Sequence, residues 1–84
     1  MYIINFDPEA IYFLKKLEKN TAKRIWNKIM SSKENPHRYF ERLVGRSDYK
    51  LRVGDYRVIA EISNEKKTIQ VTLIGNRENV YKKR

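Results

Sequence analysis

Residues 49–62 read YKLRVGDYRVIAEI, with cations at Lys50, Arg52 and Arg57. Gly54 and Asp55 are a two-residue hairpin signal between two strand-like runs. When Val53 and Tyr56 flank that turn, Arg52 lies directly opposite Arg57, and Lys50 shares their face two positions along. Like charges opposed across a sheet are destabilising. Arg77 and Tyr81 follow the last strand, just past Ile74 and Gly75, and Arg77 is expected to leave the sheet at the same end. Clustered cations of this kind suit a phosphate, and arginine suits it best, because its planar fork donates two parallel hydrogen bonds.

The elements that must position this cluster are legible from hydrophobic spacing. MYIINF reads as a short strand. Asp7 is a good N-cap, Pro8 fits the first helical position and Glu9 favours the positive helix end. Ala10, Phe13, Leu14 and Leu17 recur at helical spacing, and Asn20 and Thr21 are expected to end this helix and cap the next. The second helix carries Ala22, Ile25, Trp26, Ile29 and Met30 on one face and stops at Asn35-Pro36. Its other face holds Lys23, Arg24, Lys28 and Lys33. The pair forms an antiparallel helical hairpin that can lie on a sheet.

A connection with a short strand around Leu43 leads to three clearer strands, YKLRV, YRVIAEIS and TIQVTLIGN, the last two joined by the turn NEKK. The first hairpin pairs Leu51 with Val58 and Tyr49 with Ala60. The second is expected to pair Ile62 with Ile69, Ala60 with Val71 and Val58 with Leu73. Both place Val58, Ala60 and Ile62 on one apolar face, which should receive the helices. The opposite face then holds Lys50, Arg52, Arg57, Ile59, Thr72 and Ile74, with Arg57 flanked by Arg52 and Ile74. The expected fold is α+β: one small domain over residues 1–84, a mainly antiparallel sheet of about four strands packed on an N-terminal helical hairpin, in the order β-α-α-β-β-β.

The totals bound the partners. Nineteen basic against ten acidic residues give a net charge of +9 on 84 residues, which implies an anionic partner (nucleic acid, an acidic protein or an anionic membrane surface), with solubility alone as the blander reading. Hydrophobic residues make up 40%, enough for a globular core. The chain has no cysteine and one histidine, His37, so disulfides, thiolate chemistry and zinc sites built from Cys and His are excluded and no cofactor is expected. No apolar run approaches the roughly 20 residues of a membrane span, and no signal peptide is legible, so the expected location is cytoplasmic without membrane involvement.

LVGRSDYKLRVGDYRVIAEI and IGNRENVY resemble the RelE/ParE superfamily of toxins from toxin–antitoxin pairs, and the likeness covers nearly the whole chain. It is closest to the RelE-type ribonucleases. These carry two basic residues before the hairpin turn, an arginine after it, another after the last strand, and then a tyrosine. Those positions fall on Lys50, Arg52, Arg57, Arg77 and Tyr81, and Arg46 is a further phosphate-binding candidate. The resemblance implies metal-free cleavage of messenger RNA in the ribosomal decoding site. It implies as partners the ribosome with its messenger and a RelB-like, acidic antitoxin, whose complex with the toxin binds operator DNA. Some relatives use a glutamate two places before the leucine of an L-x-G motif, paired with a histidine near the C-terminus. Glu41 matches the glutamate and is an alternative base, but the histidine has no counterpart near Arg77 or Tyr81.

Metal-free cleavage uses the 2′-hydroxyl of RNA as nucleophile. A base takes its proton, an acid protonates the leaving 5′-oxygen, and cations stabilise the crowded phosphate. The products are a 2′,3′-cyclic phosphate and a 5′-hydroxyl. Histidine is the usual proton carrier, but His37 reads as an exposed loop residue. A free tyrosine titrates at about 10, and Lys50, Arg52 and Arg77 would lower Tyr81 toward service as the base. Blander readings stand beside these. Arg52 and Arg57 could lie on a solvated face with Asp48, Asp55 or Glu61 as partners, although Ile59 and Ile74 on that face argue otherwise. Arg77 could be one more surface charge, and Tyr81 could pack at the core edge. Trp26 reads as core; Tyr39 and Phe40 read as core or loop anchors, with base stacking as the alternative. The lysines of the second helix read as a solvated face, or as a grip on ribosomal RNA. Two other functions share the fold: a gyrase-poisoning toxin of the ParE branch, which generally lacks the late arginine and tyrosine, and an inert antitoxin- or nucleic-acid-binding module.

Overall fold

A computed structural model describes residues 1–76. β1 (Ile3–Phe6) leads through Asp7 into α1 (Pro8–Lys16), with Pro8 at the helix start, where its missing N–H costs nothing. Asp7 occupies the N-cap position without a side-chain capping bond; its Oδ1 instead accepts from Gln70 Nε2 at 2.7 Å. The helix ends earlier than the expected stop at Asn20. Leu17 adopts extended backbone there, which turns its side chain into the core. α2 (Lys19–Ser31) therefore starts from Glu18 rather than Thr21, and Thr21 Oγ1 donates to Glu18 Oε1 at 3.3 Å. α3 (Pro36–Tyr39) is a single turn where a loop was expected, pinned between buried Pro36 and buried Phe40.

Four strands complete the described residues: β2 (Glu41–Arg42), β3 (Tyr49–Val53), β4 (Tyr56–Ser63) and β5 (Thr68–Asn76). The sheet has five strands rather than about four, in the order β1-β5-β4-β3-β2. β1 runs parallel to β5, and the other neighbours are antiparallel. The fifth strand is β2, the short strand expected around Leu43, here two residues that pair Glu41 with Lys50 and Arg42 with Tyr49. The β3–β4 hairpin has the register read from its turn, including Arg52 opposite Arg57. Gly54 has φ +59° and Asp55 stays outside the left-handed region, as in a II′ turn whose twist suits the strands.

The β4–β5 pairing starts as read, with Ile62 opposite Ile69 and Ala60 opposite Val71, and then slips by one residue. Beyond the bulge Ile59 pairs with Leu73, Val58 with Ile74 and Arg57 with Gly75. The expected Val58–Leu73 pair is thus corrected. Ile74 joins the core under the helices, and Leu73 takes the opposite face. The reason lies in the run Val58-Ile59-Ala60. Ile59 points away from the helices and needs an apolar neighbour; Leu73 supplies one, and Leu43 folds against both. Thr72 Oγ1 donates to the Ile59 carbonyl at 3.2 Å across the irregularity.

On the helical side, α1 lies over β5 and α2 over β3. Ala10, Leu14, Ile25 and Ile29 meet Val58, Ala60, Ile69 and Val71 in the main core. Each fully buried Val, Leu or Ile among them contributes about 1.5–3 kcal/mol. Trp26, expected inside, is 42% exposed. Ile25 and Ile29 occupy the centre of the apolar stripe, and Trp26 lies at its margin, stacked on Phe6 with centroids 5.1 Å apart.

Gly54 generates a test. A Cβ there would lie 2.6 Å from Arg24 Nη2, the mobile end of a long side chain, so the lasting penalty is backbone strain. Gly54→Ala should cost about 1–2 kcal/mol in urea denaturation. The double variant Gly54→Ala/Arg24→Ala should keep that loss; recovery on removing Arg24 would show that the contact, not the dihedral, dominates.

Candidate functional site

The hairpin sets the first wall of the site. Val53 and Tyr56 close the turn, so Arg52 and Arg57 form the next, non-hydrogen-bonded pair, whose Cα atoms stand about 4.5 Å apart in regular sheets. Gly75 places no side chain beside Arg57 on the β5 side. Among the described residues, β2 covers β3 only at Tyr49 and Lys50, leaving an edge from Leu51 onward. A cleft of about 550 Å³ lies along this edge, lined on the sheet side by Lys50, Leu51, Arg52 and Arg57 and at the rim by Glu41. Its second wall is helical: Lys28 from α2, and Arg38 and Tyr39 from α3. Five cations and one carboxylate share the space, which suits a phosphate-bearing chain.

The sequence-predicted residues divide accordingly. Lys50, Arg52, Arg57 and Glu41 come together. Glu41 Oε1 is 4.0 Å from Lys50 Nζ, and the exposure of the carboxylate makes this a weak pair that a stronger anion can replace. Arg46 is not part of the cleft. Its Nη2 donates to Asp48 Oδ2 at 3.0 Å, and the turn that holds it is closed by Leu43 N–H to Asp48 O and Arg46 N–H to Leu43 O. Asp48, an expected partner for Arg52 and Arg57, accepts from Arg46. His37 rides on α3 rather than a loop. It is exposed, its Nε2 lies 2.6 Å from Asn64 Oδ1, and its ring meets Tyr49 edge-on, away from the cleft. Arg77 and Tyr81 lie outside the described residues.

Sequence reasoning missed Arg38 and gave Lys28 and Tyr39 other first readings. Lys28 belongs to the polar helix face, and only the packing of α2 over β3 brings that face to the cleft. Arg38 and Tyr39 sit on a one-turn helix, too short for periodicity to report which way a residue faces. The one available signal was Pro36, a helix-start residue after Asn35.

The sequence matches the family of the ParE toxin of type II toxin–antitoxin systems, parDE, over residues 4–81. No curated protein matches it. Among solved structures, the chain is similar to the toxin–antitoxin complex RelBE2 from Mycobacterium tuberculosis, with a TM-score of 0.82 and 22% identity, covering 90% of this chain and 98% of that one. The intact RelBE toxin–antitoxin complex of E. coli aligns with a TM-score of 0.78 and 23% identity over 90% and 96% of the two chains. The archaeal RelE–RelB complex from Pyrococcus horikoshii OT3 gives a TM-score of 0.75 and 22% identity over 90% and 94%.

Arg52 opposite Arg57 puts like charges across the sheet, an arrangement that is destabilising in general and is testable here. Arg52→Gln should raise the unfolding free energy by up to about 1 kcal/mol at low ionic strength, by removing a like-charge pair. The gain should shrink in high salt, where exposed charges are screened. A loss of stability at low salt would show instead that Arg52 holds the hairpin together.

Proposed function

This chain belongs to the ParE toxin family of type II toxin–antitoxin systems, and from that premise we propose that it is a ribosome-dependent endoribonuclease of RelE type. What carries the reading is the convergence of Lys50, Arg52, Arg57 and Glu41 in one cleft, at the positions where the resemblance puts phosphate-binding and proton-transfer groups. Arg52 and Arg57 would grip the scissile phosphate and stabilise the charge that grows as the 2′-oxygen bonds to phosphorus and the 5′-oxygen leaves. Tyr81 would take the 2′-hydroxyl proton, with Glu41 as the alternative base, and Arg77 would add charge to the phosphate. The ribosome would supply orientation, which accounts for much of the rate in reactions of this kind.

The antitoxin completes the system, since the similar folds occur as toxin–antitoxin complexes. A +9 chain favours an acidic partner that folds on binding and covers the cleft. The joint complex would bind operator DNA. A second reading, poisoning of gyrase, draws on the family match to ParE.

Mapping cuts in a messenger on translating ribosomes separates the readings. Wild type should cut at the decoding site, and Arg57→Ala and Arg77→Ala should each slow cleavage about 100- to 1,000-fold. Cuts made equally by the variants would remove these arginines from the mechanism. Stalled gyrase with an intact messenger would favour the second reading.

The base has its own signature. If the Tyr81 phenolate accepts the proton, the cleavage rate rises with pH as that phenol ionises. Tyr81→Phe should slow the reaction about 100- to 10,000-fold and abolish the rise. A profile unchanged by Tyr81→Phe would leave Glu41 as the base, tested in turn by Glu41→Gln.

A further inference from the structure

We propose that Tyr39, Lys28 and Arg38 form a nucleotide subsite beside the phosphate grip, where a base of single-stranded RNA stacks on the Tyr39 ring and the flanking phosphates meet the two cations. The inference rests on the ribonuclease reading and deepens it, because it assigns the helical wall of the cleft, for which the proposed chemistry has no use.

Tyr39 is built as a platform. It packs against the core yet stays half-exposed along the cleft. The residues around it are fixed: Pro36 and Phe40 are buried, and the Phe40 N–H donates to the Pro36 carbonyl at 2.8 Å. A ring held this way loses little freedom when a base lies on it. Lys28 Nζ stands 6.0 Å from the ring centroid, at the outer limit of a cation–π contact, so a stacking base displaces it at small cost. The freed ammonium stays within a cleft already shaped for phosphates. A half-exposed aromatic ring flanked by cations is the usual equipment for single-stranded nucleic acid. A volume of about 550 Å³ also falls in the range of small-ligand sites and exceeds what one phosphate fills. Core filling alone would explain the buried side of Tyr39, but not why Lys28 of α2 stands over its ring while Arg38 of α3 lines the same cleft.

The test uses the full chain and a fluorescent, uncleavable 2′-O-methyl RNA oligonucleotide, with anisotropy read over a range of salt. Tyr39→Leu should weaken binding about tenfold or more without changing the salt slope, and Tyr39→Phe should bind within about twofold of wild type. Lys28→Ala and Arg38→Ala should each flatten the slope of log affinity against log salt by about 0.7. Thermal midpoints report folding. Tyr39→Phe and the two slope measurements leave the core in place and keep the test decisive if Tyr39→Leu unfolds. Wild-type affinity in Tyr39→Leu, or unchanged slopes in both cation variants, overturns the subsite while ribosomal cleavage by wild type still upholds the ribonuclease reading. Wild type that cleaves on ribosomes but does not bind the oligonucleotide overturns it as well. Wild type that neither binds nor cleaves overturns both.

Discussion

A two-residue turn at Gly54-Asp55 sets the parity of the sheet, and the rest of the molecule follows from it. Side chains alternate along a strand, so the turn that points Leu51, Val53 and Val58 at the helices must point Lys50, Arg52 and Arg57 away from them. One residue more in the turn would exchange the two sets across β3, burying cations under α2 and exposing the core. Gly54 is the residue that makes the turn possible, because its left-handed φ is strained for any side chain with a Cβ. A local conformational requirement thus fixes both the apolar layer and the charged one.

The neighbouring pair of strands obeys a different demand. Strict alternation would have carried the first register through to Asn76. Instead, the chain inserts one residue, which lets Ile59 find Leu73 on the outer face and brings Ile74 back under the helices. The bulge also leaves Gly75 beside Arg57, where a continued register would have set the branched side chain of Ile74. The same slip therefore buries two aliphatic residues on the outer face and sets a glycine beside the central arginine of the site.

The outer face accordingly holds two environments. Ile59, Leu73 and Leu43 form a small second core at the middle of the sheet, and the cations gather at the hairpin end. Repulsion among those cations opposes folding, while burial on both faces of β4 supports it. Sites for anions commonly carry this tension, since the groups that best stabilise a bound phosphate are those that least tolerate one another without it. Binding of RNA or of an acidic antitoxin would relieve the repulsion, and ligation and stability would then rise together.

Much of this was legible in the sequence because it was local. The turn chemistry of Gly54, the alternation through Val58 and Ala60 and the helical spacing of Ala10, Leu14, Ile25 and Ile29 are each written within a few residues, and they determined the α+β fold and the opposition of Arg52 to Arg57. Tertiary structure decided what depended on distant partners. The bulge was chosen by an apolar demand of Ile59 that only Leu73 could meet, although the adjacent apolar pair Leu73-Ile74 hinted that alternation would break. Trp26 lost the core to isoleucines better centred on the stripe, and Arg46 was claimed by Asp48 across its own turn. The helical wall of the cleft was the least visible part. Nothing in the spacing of Lys28, Arg38 and Tyr39 relates them to β3; the packing of α2 and α3 at the open edge of that strand does.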